Sequence, residues 1–311
     1  MKTVRIKIKP LGSFLTDWSS DTITGALLWV YARRFGAEAL GQLISAFLKN
    51  EPPFVLSSGF PGDLLPRPFI PQPAQQITTL KQIEEGKKLK KSQWVTLGMF
   101  NSLRQGQQHK PEEVSKPLRT EVVLHNMVSR MSGSTGEGGE LYPVEEQFLD
   151  IESYQHITVY ANVLTDWEEI LGELFADLGR TGLGARSSTG KGAFSVEEVA
   201  AFSGFSDPPE INGYILLGNI TPRSTDPVKG YYKVTIKRGR LGEEYAKLPN
   251  PFKKPLVMLV PGSVFYSTAL LPGWLGRFVE NIAPVAPQVV HCGMAMIIPA
   301  WLPERDPGFA N

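Results

Sequence analysis

The chain has 311 residues, of which 42% are hydrophobic and 20% charged, the composition of a folded globular protein that can build a sizeable core. Its 32 basic and 31 acidic residues leave a formal charge of only +1, so any binding of nucleic acid must depend on local basic clusters. The single cysteine, Cys292, excludes an internal disulfide framework and a cysteine-rich zinc site. At this length we expect two domains.

The N-terminus predicts a β-strand. In residues 2–9, Val4, Ile6 and Ile8 alternate with polar, mostly basic residues, which is the period of two that marks a half-buried strand. The same basic residues exclude the apolar core of a signal peptide, and no run of about 18 apolar residues predicts a membrane span. We therefore expect a cytoplasmic protein.

Two helices are predicted next. The first should begin near Thr22, with Ser20 or Asp21 as its N-cap, and end at Gly36. Apolar residues at helical spacing predict the second over residues 40–48. Because capping explains Asp21, we assign this carboxylate no catalytic role.

The middle of the chain, residues 71–150, predicts a long insertion with a projecting arm. Residues 54–60 form a predicted strand, but residues 71–120 lose clean periodicity and carry a basic run, which indicates a partly helical insertion. Two strand-like runs, 121–131 and 141–149, then flank a glycine-rich stretch. This pattern predicts a hairpin arm with a flexible tip.

The remaining elements complete a first domain over residues 1–205. A strand at 156–163, a helix begun by a capping box at 165–168 and ending at Gly179, and a strand from Ala193 follow one another. The order of strand, helix, strand, insertion, strand, helix and strand predicts an α+β, ferredoxin-like domain of the kind that RNA-recognition modules also use. Fold analogy by itself does not establish function.

The second predicted domain, residues 210–311, is β-rich. Only residues 274–279 predict even a short helix, so we expect a degenerate, incomplete copy of the ferredoxin-like fold. Its strand-like runs lie at 214–220, 231–239, 255–266 and 294–302.

Residues 182–192, here called the glycine loop, are a candidate phosphate-binding segment. The loop contains four glycines, two cations, three hydroxyl groups and no acid. Arg186 and Lys191 can neutralise phosphate charge, while the glycines let backbone amides approach an anion closely. One alternative stays open, namely that the glycines serve only the geometry of a tight turn between helix and strand.

Two other phosphate motifs are excluded. A nucleotide-binding P-loop would need glycine in place of Ala185 and a hydroxyl residue in place of Gly192. A dinucleotide-binding fingerprint would need glycine in place of Ser187. The sequence therefore argues against an NTPase and against a dehydrogenase.

Catalysis has little support in the sequence. His109, His125, His156 and His291 do not show metal-binding spacing. His291 and Cys292 are neighbours in a predicted strand and would point to opposite faces, so they cannot form a nucleophile and its base, and we expect Cys292 in the core. We predict a protein that is not an enzyme and needs no metal or cofactor.

The glycine loop in its ferredoxin-like setting, with four further segments in the same order, resembles the RAMP superfamily of CRISPR proteins. Within that superfamily the chain is similar to the fourth Csm subunit of type III-A effector complexes, the group that binds the crRNA 5′ handle. The matching segments span nearly the whole chain, at 14–26, 54–68, 182–194, 255–265 and 291–299.

The resemblance implies two RAMP domains, the first with a thumb-like arm around residues 125–140. It implies a non-catalytic subunit that holds the repeat-derived 5′ handle of the crRNA and links the large palm-domain subunit to the backbone RAMP subunit in antiviral defence. Target RNA would then be an indirect partner. The implied RNA-binding residues are Ser19, Ser20, Asp21, Thr22, His125, Asn126, Arg130, Gly182, Gly184, Arg186, Ser187, Ser188, Thr189, Gly190, Lys191 and Gly192.

Three questions stay open at this point. His125, Asn126 and Arg130 could bind RNA by stacking and phosphate pairing, or they could be ordinary arm residues. The basic cluster within residues 229–240 could meet RNA or an acidic partner, or form a solvated sheet face. The alternative function is a metal-independent crRNA-processing endoribonuclease of the same superfamily.

Overall fold

The protein has a mixed α/β architecture built on antiparallel sheets. The structure is a computed structural model and describes residues 1–70, 93–107, 114–128, 131–135 and 141–303. The predicted basic run within residues 71–92 therefore lies outside the described residues, as do Arg130, His109 and the glycine-rich stretch at 136–140.

The elements of the described residues are numbered in chain order. They are β1 (Lys2–Pro10), α1 (Ser20–Leu48), β2 (Phe54–Pro61), β3 (Leu65–Pro66), β4 (Trp94–Val95), α2 (Leu97–Arg104), β5 (Leu118–Asn126), β6 (Leu141–Leu149), β7 (Ile157–Val163), α3 (Glu168–Thr181), β8 (Phe194–Ala201), β9 (Gly213–Leu216), β10 (Gly230–Tyr231), β11 (Val234–Lys237), β12 (Leu256–Leu259), β13 (Val264–Tyr266), β14 (Trp274–Val279) and β15 (His291–Ala300).

The first sheet has the strand order β2-β7-β1-β8, and every neighbouring pair is antiparallel. The predicted alternation of β1 is confirmed, because Val4, Ile6 and Ile8 are completely buried. They form one core with Leu27 of α1 and Leu174 of α3. Both long helices therefore pack on one face of this sheet, which is the physical reason for the apolar face of each helix.

Helix α1 differs from the prediction at its start. Gly36 does interrupt the helical backbone, with φ 88° and ψ 172°, but the helix resumes directly after it. The predicted N-cap is wrong, since Ser19 holds that position and makes no side-chain cap bond. Ser20 and Asp21 lie inside the helix, where Asn219 donates its backbone N–H to Ser20 and its side-chain amide to Asp21.

Helix α3 also begins differently from the prediction. Residues Thr165–Trp167 form a short 3₁₀ turn, and Trp167 then precedes the helix without a side-chain cap bond, so the predicted capping box is wrong. The helix runs two residues past Gly179, because Gly182 with its positive φ of 82° ends it. Its predicted apolar face is buried.

The second sheet has the order β10-β13-β9-β15-β14, and β11 and β12 form a separate antiparallel ribbon. All four predicted runs contain strand, but the runs 231–239 and 255–266 each hold parts of two short strands that belong to different sheets. The predicted helix at Trp274–Val279 is wrong, because these residues form β14, and all six of them pair with β15. Gly276 has a φ of 89°, and a Cβ there would lie 2.0 Å from the Gly293 carbonyl oxygen, so this close approach requires glycine.

The predicted insertion contributes two described parts. The arm is the hairpin of β5 and β6, paired in register from Leu118 with Leu149 to Asn126 with Leu141. Helix α2 lies in a second core with β9 and β15, where Phe100 is completely buried. Arg104 is also buried and donates to the carbonyl of Pro299, and burial lowers the pKa of its guanidinium to about 10.

Candidate nucleic-acid interface

The backbone of the glycine loop depends on its glycines. Gly182, Gly184, Gly190 and Gly192 all have positive φ, between 69° and 88°. A Cβ at Gly192 would lie 2.2 Å from the carbonyl oxygen of Leu183, inside the loop itself. Turn geometry thus explains these glycines, and by themselves they do not indicate a ligand.

Most backbone amides of the loop are already bonded within the protein. Within the described loop this leaves the amides of Gly184 and of the outer turn, Arg186–Ser188, for a ligand. Ser188 on this turn and the adjacent Thr189 are also exposed, and the Thr189 hydroxyl donates to the Arg186 carbonyl. The amides that donate to protein acceptors are those of Gly182, Leu183, Ala185, Thr189, Gly190, Lys191 and Gly192.

Lys191 points from the loop to the arm. Its Nζ lies 2.7 Å from Oε2 of Glu146 on β6 and 2.9 Å from Oγ of Ser13. Ser13 also donates to the same Glu146 oxygen over 2.5 Å. On the other carboxylate oxygen, Oε1, Nε2 of His125 lies at 2.8 Å. One carboxylate therefore gathers the loop, the arm and the segment after β1.

Glu146 keeps its negative charge in this setting. Its side chain is only 1% exposed, and burial alone would raise its pKa. Hydrogen bonds from Lys191, Ser13 and His125 outweigh burial and lower the pKa of Glu146 to about 2. Because the carboxylate is ionised, Nε2 of His125 donates to it, and this bond selects the tautomer of the ring.

Arg186 completes the junction. Its guanidinium lies 5.2 Å from the centroid of the Tyr142 ring and donates from Nη1 to the Tyr142 hydroxyl over 3.3 Å. The rings of His125 and Tyr142 stack, with centroids 5.8 Å apart. We call His125, Tyr142, Glu146, Arg186 and Lys191 the arm–loop junction. The structure brings the predicted residues Arg186, Lys191 and His125 together there.

The predicted residues Ser19, Ser20, Asp21 and Thr22 do not join this junction. Ser20 and Asp21 are buried against the second sheet and its connections, so their side chains are not accessible to RNA. Ser19 and Thr22 each accept a hydrogen bond from Nζ of Lys237, over 3.0 and 2.9 Å. In this structure the polar groups of these residues bond to Asn219 and Lys237, about 200 positions away in the chain.

Asp21 is the centre of a buried charged cluster. Nζ of Lys237 lies 2.9 Å and Nε2 of His291 lies 3.5 Å from its Oδ2. Burial would raise the pKa of Asp21, but Lys237 and His291 lower it below its ordinary value. Burial and the neighbouring Lys253 lower the pKa of His291 to about 4, so this ring is neutral near pH 7.

The other predicted contacts are spread over the surface. Asn126 is exposed at the end of β5. Within the predicted basic cluster, the partly buried Lys237 directs its ammonium group to Asp21, and Nζ of Lys233 lies 4.5 Å from the ring centroid of Phe69. Arg238 and Arg240 are exposed.

Sequence reasoning missed Tyr142 and Glu146. Glu146 lies four residues beyond Tyr142 on β6, on the same face of the arm, because side chains alternate along a strand. The register of the hairpin places Tyr142 opposite His125 and on the same face as Glu146. That this face meets the glycine loop follows only from the tertiary structure. The sequence within either segment carries no such signal.

The described residues contain no cluster of three or more histidine, cysteine or acidic side chains that could hold a metal ion. Cys292 is buried, as predicted, and burial raises the pKa of its thiol to about 12, so it is a poor nucleophile. None of the described helices is long and apolar enough to cross a membrane.

Comparison with known proteins agrees with this fold along nearly the whole chain. No family model matches. The CRISPR system Cms protein Csm4 of Thermococcus onnurineus (strain NA1) is 28% identical over 206 residues, which cover 63% of this chain and 68% of the relative.

Two solved assemblies contain a chain of the same fold. The crystal structure of a Csm1-Csm4 cassette in complex with cA4 matches with a TM-score of 0.66 and 20% identity, over 98% of this chain and 100% of that chain. The Csm3-Csm4 subcomplex of the type III-A CRISPR-Cas interference complex matches with a TM-score of 0.62 and 17% identity, over 97% and 100%.

The fold is therefore that of a subunit of the Csm complexes. Csm4 is the component that the relative and both assemblies have in common, and this chain is Csm4-like. The predicted resemblance is confirmed at this level.

Proposed function

We propose that this chain is a non-catalytic, RNA-binding subunit of a type III-A CRISPR interference complex that holds the 5′ repeat-derived handle of the crRNA. The observation that carries the proposal is the arm–loop junction, where Arg186 of the glycine loop meets two stacked rings on the arm. Cations and ring faces side by side suit a single-stranded RNA, since phosphates pair with the former and bases stack on the latter.

Within this site, Arg186 is the principal phosphate contact. Among the described residues its guanidinium has one protein acceptor, the Tyr142 hydroxyl, so no acid compensates its positive charge at the junction. The amides of Arg186–Ser188 and the exposed hydroxyl of Ser188 add donors on the same turn, whereas the Thr189 hydroxyl donates to the Arg186 carbonyl. His125 and Tyr142 supply the stacking surface.

The proposed architecture is two RAMP domains. The order β2-β7-β1-β8, with α1 and α3 on one face, supports a ferredoxin-like first domain over residues 1–205. The β-rich remainder, residues 210–311, is then a degenerate copy in which β14 replaces the expected helix.

The proposed protein partners are the large palm-domain subunit and the backbone RAMP subunit. Csm4 chains are found with Csm1 in one solved assembly and with Csm3 in the other. A chain of the same fold that covers the whole of those chains can make equivalent contacts. We propose that this protein links the two subunits.

The decisive experiment is Arg186→Ala with a handle-bearing RNA. We expect weaker binding at all salt concentrations and a slope of log affinity against log salt that is smaller by about 0.7, the contribution of one single-strand phosphate. Arg180→Ala is the matched control, because Arg180 is 78% exposed at the end of α3 and lies outside the loop. An unchanged slope for Arg186→Ala refutes the assignment of the loop.

A second candidate function is metal-independent processing of crRNA. The 2.8 Å contact between His125 and Glu146 favours it, since a carboxylate that orients a histidine is part of many acid–base sites. Incubation of the protein with repeat RNA and a chelator distinguishes the two functions. Specific cleavage that is lost in His125→Ala would replace the binding proposal by the enzymatic one.

A further inference from the structure

Glu146 is a negative charge inside a junction that is proposed to bind a polyanion. Its two carboxylate oxygens are both occupied, by Lys191 and Ser13 on one side and His125 on the other. The side chain is 1% exposed, whereas those of Lys191 and His125 are 22% and 23% exposed. The acid is therefore beneath the surface and its partners are at the surface.

We infer that Glu146 acts as an internal anion that occupies Lys191 and thereby limits how many RNA phosphates the glycine loop can bind. This inference rests on the proposed function. The loop then has one phosphate-binding cation, Arg186, although its sequence contains two.

The first argument is charge compensation. Nζ of Lys191 lies 2.7 Å from Glu146, so the pair has no net charge when seen from an RNA phosphate at the surface. The pair is only partly screened by water, since the carboxylate is buried, and the compensation is stronger than in an exposed ion pair. The Ser13 hydroxyl accepts a second hydrogen bond from the same ammonium group.

The second argument is that Glu146 cannot move aside. It lies in the middle of β6, paired with Glu121 in an unbroken register, and a strand residue has little freedom to turn away. A buried carboxylate that lost Lys191 to a phosphate would be left with a large desolvation cost. An incoming phosphate therefore meets a compensated lysine and does not displace the acid.

The consequence concerns RNA that lacks the handle. Phosphate contacts supply affinity that does not depend on sequence, and each one adds to the salt dependence of binding. By removing Lys191 from that set, Glu146 lowers the affinity of the junction for arbitrary single strands. The lysine instead fastens the loop to the arm.

The test compares Glu146→Gln with Glu145→Gln, using the full chain and a uniform single-stranded RNA such as oligouridine. Glu145 is the matched control, since it is an exposed acid on the opposite face of the same strand. For Glu146→Gln we expect a salt slope larger in magnitude by about 0.7 and binding about three- to tenfold tighter at low salt. For Glu145→Gln we expect the wild-type slope.

A double variant keeps the inference testable if Glu146→Gln unfolds. Glu146→Gln with Lys191→Met removes both charges together, which leaves no unpaired buried charge. We expect the salt slope of the double variant to equal that of the wild type, because the Glu146–Lys191 pair contributes nothing to the salt dependence of RNA binding. A slope smaller by about 0.7 in the double variant would show that Lys191 does bind a phosphate, and it would overturn the inference.

Failure of the inference is distinguishable from failure of the proposed function. If the Arg186→Ala variant binds RNA with the same affinity and salt slope as the wild type, the proposed function is wrong. If Arg186→Ala lowers the slope but a folded Glu146→Gln variant binds with the wild-type slope, only the role of Glu146 is wrong. Thermal unfolding of each variant establishes that it is folded.

Discussion

Replacement of Lys237 by methionine tests the buried cluster at the start of α1. The variant removes the cation 2.9 Å from Asp21 and leaves a carboxylate whose side chain is completely buried. Loss of one partner of a fully buried ion pair costs about 3–5 kcal/mol. Since Lys237 itself is 28% exposed, water replaces part of the interaction, and we expect a loss of about 2–3 kcal/mol in the free energy of unfolding.

The expected loss depends on pH through His291. Lys237 is one of the charges that hold the pKa of His291 down at about 4, and Asp21 is the charge that raises it. Without Lys237 the pKa of His291 rises, so the folded variant takes up a proton at a higher pH than the folded wild type. Protonated His291 then pairs with Asp21, so the difference in stability becomes smaller as the pH falls through the raised pKa of the variant toward about 4.

Urea unfolding followed by tryptophan fluorescence measures this effect. Arg238→Met is the control, since Arg238 is the next residue and is exposed. The double variant Lys237→Met with Asp21→Asn should recover part of the loss, because it removes the unpaired charge. A single variant within about 0.5 kcal/mol of the wild type, or two substitutions with simply additive effects, would refute the reasoning.

Three further outcomes are expected. Gly192→Ala should cost at least about 2 kcal/mol of stability, because its Cβ meets the Leu183 carbonyl, while Gly190→Ala, with open space around it, should cost about 1 kcal/mol; thermal unfolding checks both. Below pH 4.5 the Glu146 carboxylate, with its lowered pKa, should lose its contribution progressively down to about pH 2, on the order of 1–3 kcal/mol, and Glu146→Gln should lack this loss in acid unfolding. The thiol of Cys292 should react with a disulfide reagent at least about 100-fold faster in unfolded than in folded protein, as absorbance will show.

The strands and helices that periodicity predicts are those with one buried face. Val4, Ile6 and Ile8 alternate because a single sheet face is covered by α1 and α3, and that pattern is readable within a few residues. Trp274–Val279 was misread because its glycine and apolar residues fit a short helix as well as a strand. Only the partner β15 decides between the two.

The candidate site was predictable in its chemistry but not in its pairing. Arg186 and Lys191 stand out because a glycine-rich loop with two cations and no acid is unusual. The acid that pairs with Lys191 is Glu146, which lies on the arm 45 positions earlier in the chain. In the same way, Asp21 was interpreted as a cap because its partner Lys237 follows 216 positions later in the numbering. Long-range pairing of this kind leaves no trace in local sequence.

The burial of α2 has a consequence for the order in which the chain assembles during synthesis. The bond between Arg104 and the carbonyl of Pro299 joins residues separated by 195 positions. At translation rates of about 5–20 residues per second, the partner strand follows α2 after roughly 10–40 s. Throughout that interval the core around Phe100 lacks Met296, Ile298 and Ala300 of β15, so this core stays incomplete in the nascent chain until β15 is synthesised.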